Sequence, residues 1–171
     1  CYLAQGNRQR AREVIDGALA ESPFDTEALS LLAEVCRAEG DLIGAETALN
    51  RAIKTNPTNG TLFRNRGIVL LQRRCYERSR LDLFKALELI PDDCQAFAAL
   101  GELELATQRP RQALAHLDKA IAIRPTWARL HELRARAYES LGDETSALES
   151  LENVCQLDER DTASLLKLGT M

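Results

Sequence analysis

The 171-residue sequence predicts an all-α fold, a solenoid of stacked helical hairpins, on three observations. First, Pro23, Pro57, Pro91 and Pro125 recur with a spacing of 34 residues. Second, small residues keep the same period. Ala11, Ala45, Ala113 and Ala147 share one phase with Ser79, and Ala18, Ala52, Ala86 and Ala120 share another. Third, large apolar residues hold their own phase at Ile15, Leu49, Leu83, Leu117 and Leu151. A fixed period of this length marks one supersecondary unit repeated along the chain. Small residues let two helices approach closely, and large ones fill the space between them.

The elements follow in order. The expected helices are 9–21, 26–39, 43–55, 60–73, 77–89, 94–107, 111–123, 128–141, 145–157 and 162–170. Gly6, Gly40 and Gly142 stand where a first helix ends, because glycine accepts the left-handed backbone of a helix stop. Arg74 and Gln108 interrupt that series, so the turn at Arg74 is expected to be altered or strained. The periodic prolines end the second helices, because proline cannot continue the hydrogen-bond ladder. Pro110 lies outside the period, near the start of a second helix, where a missing N–H costs little. Gly67, Gly101 and Gly169, with Ala33 and Ala135, form a further small-residue series.

These phases resemble the tetratricopeptide repeat, a helix–turn–helix unit of 34 residues. The second unit reads Leu29, Leu32, Ala33, Cys36, Ala45, Leu49, Ala52 and Pro57 at the pattern positions 4, 7, 8, 11, 20, 24, 27 and 32. The fourth reads Phe97, Leu100, Gly101, Ala113, Leu117, Ala120 and Pro125. The resemblance covers the whole chain. It implies one array over 1–171, cut at both ends. That array comprises a partial repeat 1–25, repeats 26–59, 60–93, 94–127 and 128–161, and a partial repeat 162–171.

The resemblance also implies a right-handed superhelix whose first helices line a concave groove through positions 2, 5, 9 and 12. Protein partners bind there as extended peptides or helices. Spacings of three and four place these positions on one stripe of a helix. The second unit supplies Glu27, Ser30, Glu34 and Arg37. The third supplies Thr61, Arg64, Ile68 and Leu71, the fourth Gln95, Ala98, Glu102 and Leu105, and the fifth Arg129, Glu132, Arg136 and Glu139. The candidate groove is therefore an apolar floor of Ile68, Leu71, Ala98 and Leu105 within a charged rim, the composition of a peptide or helix site. The family's clamp for a chaperone carboxylate tail does not fit. Ser30 and Glu34 stand where a lysine and an asparagine are required, and Gln95 and Ala99 fail the last two places.

Three charged residues take packing positions: Arg66 and Arg134 at position 7, and Glu104 at position 11. Unpaired buried charge is expensive, so Glu104 is expected to pair with Arg134 or Arg66. Seven basic residues between 60 and 85 suggest a nucleic-acid patch beside Phe63, Tyr76 and Phe84. Helical phase scatters them over several faces, and the net charge is −4, so nucleic acid is not the expected partner.

The remaining classes are bounded by what the sequence contains. It is 45% hydrophobic and 28% charged, enough apolar material for a core and enough charge for a water-facing surface. No run of 18 apolar residues marks a membrane span, and no leader pattern opens the chain. Five widely spaced cysteines offer no C-x-x-C pair, so neither a zinc site nor a disulfide framework is expected. Free thiols point to the cytoplasm, with a periplasmic or membrane-associated setting as the alternative. Cys1 is read as part of a first helix already under way rather than as a lipid-bearing residue.

Of the two histidines, His131 takes a packing position and His116 a second helix, and no catalytic or phosphate-binding motif occurs. Asp92-Asp93 and Asp158-Glu159 are expected in inter-repeat loops, as helpers at helix starts. No catalytic residue, metal ligand or cofactor is assigned. The expected function is a protein-interaction scaffold. The alternatives are a regulatory or substrate-recruiting segment of a larger enzyme, such as a glycosyltransferase, or of a secretion or assembly factor. Self-association through exposed ends is a further possibility.

Overall fold

The computed structural model describes the backbone of residues 8–168 and the side chains of residues 10–157. Tyr2, Gly6 and Gly169 lie outside these residues. The described residues form α1 (Arg8–Glu21), α2 (Thr26–Glu39), α3 (Leu42–Thr55), α4 (Gly60–Gln72), α5 (Tyr76–Leu89), α6 (Cys94–Ala106), α7 (Pro110–Ile123), α8 (Ala128–Leu141) and α9 (Glu144–Leu168). Two compact units result, Cys1–Pro91 with α1–α5 and Asp92–Met171 with α6–α9. The fold is all-α, as expected, and consecutive helices pack as hairpins: α2 with α3, α4 with α5, α6 with α7, and α8 with α9.

One turn serves all four hairpins. Gly40, Arg74, Gln108 and Gly142 each adopt a positive φ, of 83°, 60°, 58° and 75°. In each case the next residue donates its N–H to a carbonyl five residues back, at 2.8–3.0 Å: Asp41 to Cys36, Cys75 to Leu70, Arg109 to Glu104, and Asp143 to Tyr138. The expected alteration at Arg74 therefore resolves one way. The turn is kept, and the non-glycine residue is held in the left-handed region.

The second helices stop as the prolines require. Asn56, Ile90 and Arg124 each precede a periodic proline and leave the helix at φ near −132°, −135° and −136°. Proline excludes the helical conformation from the residue before it. The fifth second helix has no such stop. Glu159 stands where the period would place proline, and α9 continues for 25 residues to Leu168. This corrects two expectations: 145–157 and 162–170 are not separate helices, and Asp158-Glu159 lie within a helix.

Close packing sits where the small residues are. A Cβ on Gly67 would lie 2.8 Å from Leu83 Cγ, and one on Gly101 would lie 2.7 Å from Leu117 Cγ. Glycine here permits the approach of the two helices of one hairpin. Ser79, the exception in an alanine series, is buried and donates its hydroxyl to the Gly67 carbonyl at 2.7 Å. A buried hydroxyl is thereby satisfied across the same contact. The core of the first unit centres on Leu29, Leu49, Leu62 and Val69 with Ala33, Ala45 and Ala52. That of the second centres on Leu117, Leu130 and Leu133 with Ala113, Ala120 and Ala137.

Candidate protein-binding surface

The candidate residues lie on three first helices. In the first unit, Asn59 accepts the Thr61 N–H and starts α4, which carries Arg64, Ile68 and Leu71. All three are half-buried. The Arg64 guanidinium donates to Asn65 Oδ1 at 3.3 Å from Nε and Nη2. In the second unit, Asp93 accepts the N–H groups of Gln95 and Ala96 at 3.0 and 3.1 Å and starts α6. An acidic cap at this end also suits the positive end of the helix dipole.

The structure brings three of the second unit's candidates together. Arg129, on α8, reaches Glu102 on α6 at 3.7 Å and Glu132 one turn along its own helix at 3.2 Å. Each side chain is close to half exposed, so the bridge is screened by water and contributes under about 1 kcal/mol to folding. Its consequence is spatial, since it sets acid and base side by side over adjoining first helices. Leu105 is half-buried against the core, Gln95 and Arg136 are exposed, and Ala98 is buried within the core cluster. Ala98 thus offers a ligand little surface. The apolar contribution of this unit comes chiefly from Leu105.

The charged packing positions find partners that the sequence did not suggest. Arg66 makes a two-pronged pair with Asp82 on α5, Nε to Oδ2 and Nη2 to Oδ1, both at 2.7 Å. It also donates to Asn50 at 2.8 Å and lies over the Phe63 ring at 5.7 Å. Arg134 donates to Ser150 on α9 at 3.1 Å. The expected partner for these arginines was Glu104. Glu104 itself is buried within 3.8 Å of Arg109 Nη1 and 3.5 Å of Thr107 Oγ1.

Four other basic residues of the 60–85 stretch are also engaged. Arg73 and Arg78 both pair with the buried Glu46, Arg80 with Glu77, and Lys85 with Glu88. With Arg66, five of the seven cations in this stretch have carboxylate partners within the first unit. A phosphate-binding surface needs cations available to replace counterions, which this pattern disfavours.

One feature was missed in sequence. A shallow surface depression in the second unit is lined by Gln108, Arg109, Pro110, Arg111, Gln112 and Leu141. Its visible signal was the pair of departures at Gln108 and Pro110, a strained turn residue and an off-period proline. Among the described residues, no three acids, cysteines or histidines cluster as a metal site. No described helix is long and apolar enough to cross a membrane.

Comparison with known proteins agrees with this architecture. The profile of the tetratricopeptide repeat matches residues 2–60 and 98–161. The stretch it leaves between includes Arg66, Arg74 and Ser79, three of the residues that depart from the repeat pattern, while Glu104, Gln108 and Arg134 lie within the matched stretches. The chain is 28% identical over 176 aligned positions to a DnaJ homolog subfamily C member 7 homolog of Schizosaccharomyces pombe, spanning 94% of this chain and 37% of that one. It is 27% identical over 124 positions to the type IV pilus assembly protein PilF of Pseudomonas aeruginosa, spanning 71% of this chain and 49% of PilF.

A solved structure of Pseudomonas aeruginosa PilF superposes with a TM-score of 0.82 at 23% identity, over 91% of this chain and 71% of that one. MamA from Desulfovibrio magneticus superposes with a TM-score of 0.80 at 20% identity, over 93% and 90%. Both are likenesses of fold. The chain spans less than half the length of the curated relatives it matches.

Proposed function

The chain belongs to the tetratricopeptide repeat family, and we propose that it is a protein-interaction scaffold whose first helices receive an extended peptide or a helix of a partner. The binding residues in this reading are Arg64, Ile68 and Leu71 on α4, Gln95, Ala98, Glu102 and Leu105 on α6, and Arg129, Glu132 and Arg136 on α8. The observation that carries it is the Arg129 bridge to Glu102 and Glu132 beside half-buried Leu105. Half-exposed charges of both signs next to aliphatic side chains form a rim and an anchor. An incoming acidic or basic side chain can exchange with one arm of the bridge at little cost, because the bridge itself is weak.

The segment binds and does not turn over a substrate in this reading. Free thiols at Cys36, Cys75, Cys94 and Cys155 suit a reducing compartment, hence the cytoplasm. A second reading makes the chain the recruiting segment of a longer assembly factor. It is favoured by the chain's short span on its curated relatives, one of which is named as a pilus assembly protein.

The test is capture of partners on the longest native form of the protein, wild type against Leu71→Asp and Arg129→Glu. Both substituted residues have solvent access, so helical circular dichroism should be unchanged while a partner recovered by wild type is lost. Retention of that partner by both variants would remove the first-helix surface from consideration.

A further inference from the structure

We infer that the outward face of α5 is a self-association surface, on which α5 of a second copy lies antiparallel with Leu81 at the two-fold axis. Ser79, Asp82, Leu83 and Ala86 bury the other side of this helix. Leu81 and Phe84 face away from them, 70% and 44% exposed. Spacings of three and four put both on one stripe with Glu77, Lys85 and Glu88, whose side chains are also open to water.

The other repeats show that this stripe is unusual. Leu81 stands at repeat position 22 and Phe84 at position 25. Position 25 is otherwise Asp16, Asn50, Asp118 and Glu152. Position 22 is otherwise Glu13, Thr47, Ala115 and Glu149. The second helices thus keep these positions polar or small, as a water-facing side requires. α5 alone places two large apolar side chains there. Its hairpin with α4 is complete and Leu83, at position 24, is fully buried, so the exposed side is not a core face left open.

The residues around Leu81 point to what covers it. Glu77 lies four residues before Leu81 and Lys85 four after. Arg78 lies three before and Phe84 three after, while Arg74, in the preceding turn, lies seven before and Glu88 seven after. Turning a second α5 end for end about Leu81 sets each against its complement. Glu77 meets Lys85, Arg74 meets Glu88, and the Arg78 guanidinium meets the Phe84 ring. Two-fold symmetry repeats each opposition, and Leu81 meets its own copy. A surface for an unrelated partner has no reason to be complementary to itself. The bridges that Glu77 and Lys85 make within the chain, to Arg80 at 2.9 Å and to Glu88 at 2.7 Å, each have a partner open to water and yield at little cost. A contact along about 20 Å of helix is smaller than the roughly 1,200–2,000 Å² of a stable interface, so the dimer is weak and forms as concentration rises.

The test is light scattering coupled to size exclusion on the 171-residue chain over a wide concentration range, with helical circular dichroism on every variant. The wild type is expected to form a dimer that dissociates on dilution. Leu81→Asp should be monomeric throughout, with helicity unchanged. Glu77→Lys and Lys85→Glu should each lose the dimer, because each sets like charges opposite one another. The two together should recover it. Leu148→Asp removes a leucine that is 61% exposed on another second helix and should leave the dimer intact. A wild type monomeric at every concentration would leave this face to a different protein and overturns the inference. So does a dimeric Leu81→Asp, a double charge reversal no better than either single one, or loss of the dimer in Leu148→Asp.

Discussion

At the scale of single residues, the four hairpin turns form an internal experiment. Gly40 and Gly142 adopt φ of 83° and 75° without strain, with nothing within 4 Å of an added Cβ. Arg74 and Gln108 hold the same turn at 60° and 58° with a side chain present. The left-handed region costs a non-glycine residue about 1–2 kcal/mol, partly offset by glycine's larger entropy in the unfolded chain. Arg74→Gly and Gln108→Gly should therefore each stabilise the protein by about 0.5–1 kcal/mol. Thermal unfolding would rise by roughly 1–4 °C per substitution. An unchanged or lower midpoint in both would show that the arginine and glutamine side chains make compensating contacts.

A second residue-scale prediction concerns Arg66. Its partner Asp82 lies sixteen residues on, at repeat position 23. Arg134 and Ser150 stand in the same relation. The second unit of the sequence has Leu32 and Ala48 at these two positions. An ionic solution and an apolar one thus occupy the same place in different repeats. Removing one partner leaves a largely buried charge, so Asp82→Ala should cost about 2–4 kcal/mol in chemical denaturation. Arg66→Leu combined with Asp82→Ala should recover most of that loss, because it installs the pairing already present in the second unit. A double variant no better than the single one would mean that Asn50 or Phe63 depends on the arginine.

The helices themselves were largely legible, because their ends are written in backbone chemistry. The prolines, the turn positions and the caps Asp25, Asp41, Asn59 and Asp93 all act within a few residues of where they stand. The exception at α9 is of the same kind: the stop was inferred from the period, and the residue that enforces it was missing. Side-chain partners were less legible. Arg66 and Arg134 bond to Asp82 and Ser150 on the second helices of their own hairpins, and Arg66 also to Asn50 on α3, partners that the repeat pattern did not suggest. Burial of Ala98 was also hidden, since its stripe position gives its direction and not how deeply α6 is packed.

One element-scale prediction follows from the start of α9. Asp143 accepts the Ser146 N–H at 3.1 Å and the Ser146 hydroxyl at 2.7 Å. These bonds, the hydroxyl first, hold its carboxyl below the usual value of 3.8. A depressed carboxylate stabilises the fold fully above its unfolded value, and that stabilisation is lost as pH falls through the lower, folded value. Helicity should therefore show an acid-induced loss beginning below 3.8, and Asp143→Asn should remove that component while keeping a cap. An acid titration identical in the two proteins would remove Asp143 from the account.

At the scale of the molecule, the period and the net charge of −4 define a repeat array whose units need not open together. Its cysteines can report this. Cys36 is buried in the core of the first unit and Cys94 in that of the second, while Cys75 is half-buried and Cys155 exposed. Burial raises the Cys36 thiol above its ordinary value, opposed by the Arg12 guanidinium, and raises the Cys94 thiol against Arg124 in the same way. Because the thiolate is the nucleophile, both effects suppress reaction near neutral pH. A maleimide followed by peptide mapping should label Cys75 before Cys36 and Cys94, which react only as their units open. Raising the pH should have little effect on the buried pair while opening limits them. In rising denaturant, Cys36 and Cys94 should become reactive at different concentrations, as expected of repeats that open locally. A shared midpoint would instead make the two units one cooperative body, and rapid labelling of either thiol in native buffer would contradict its place in the core.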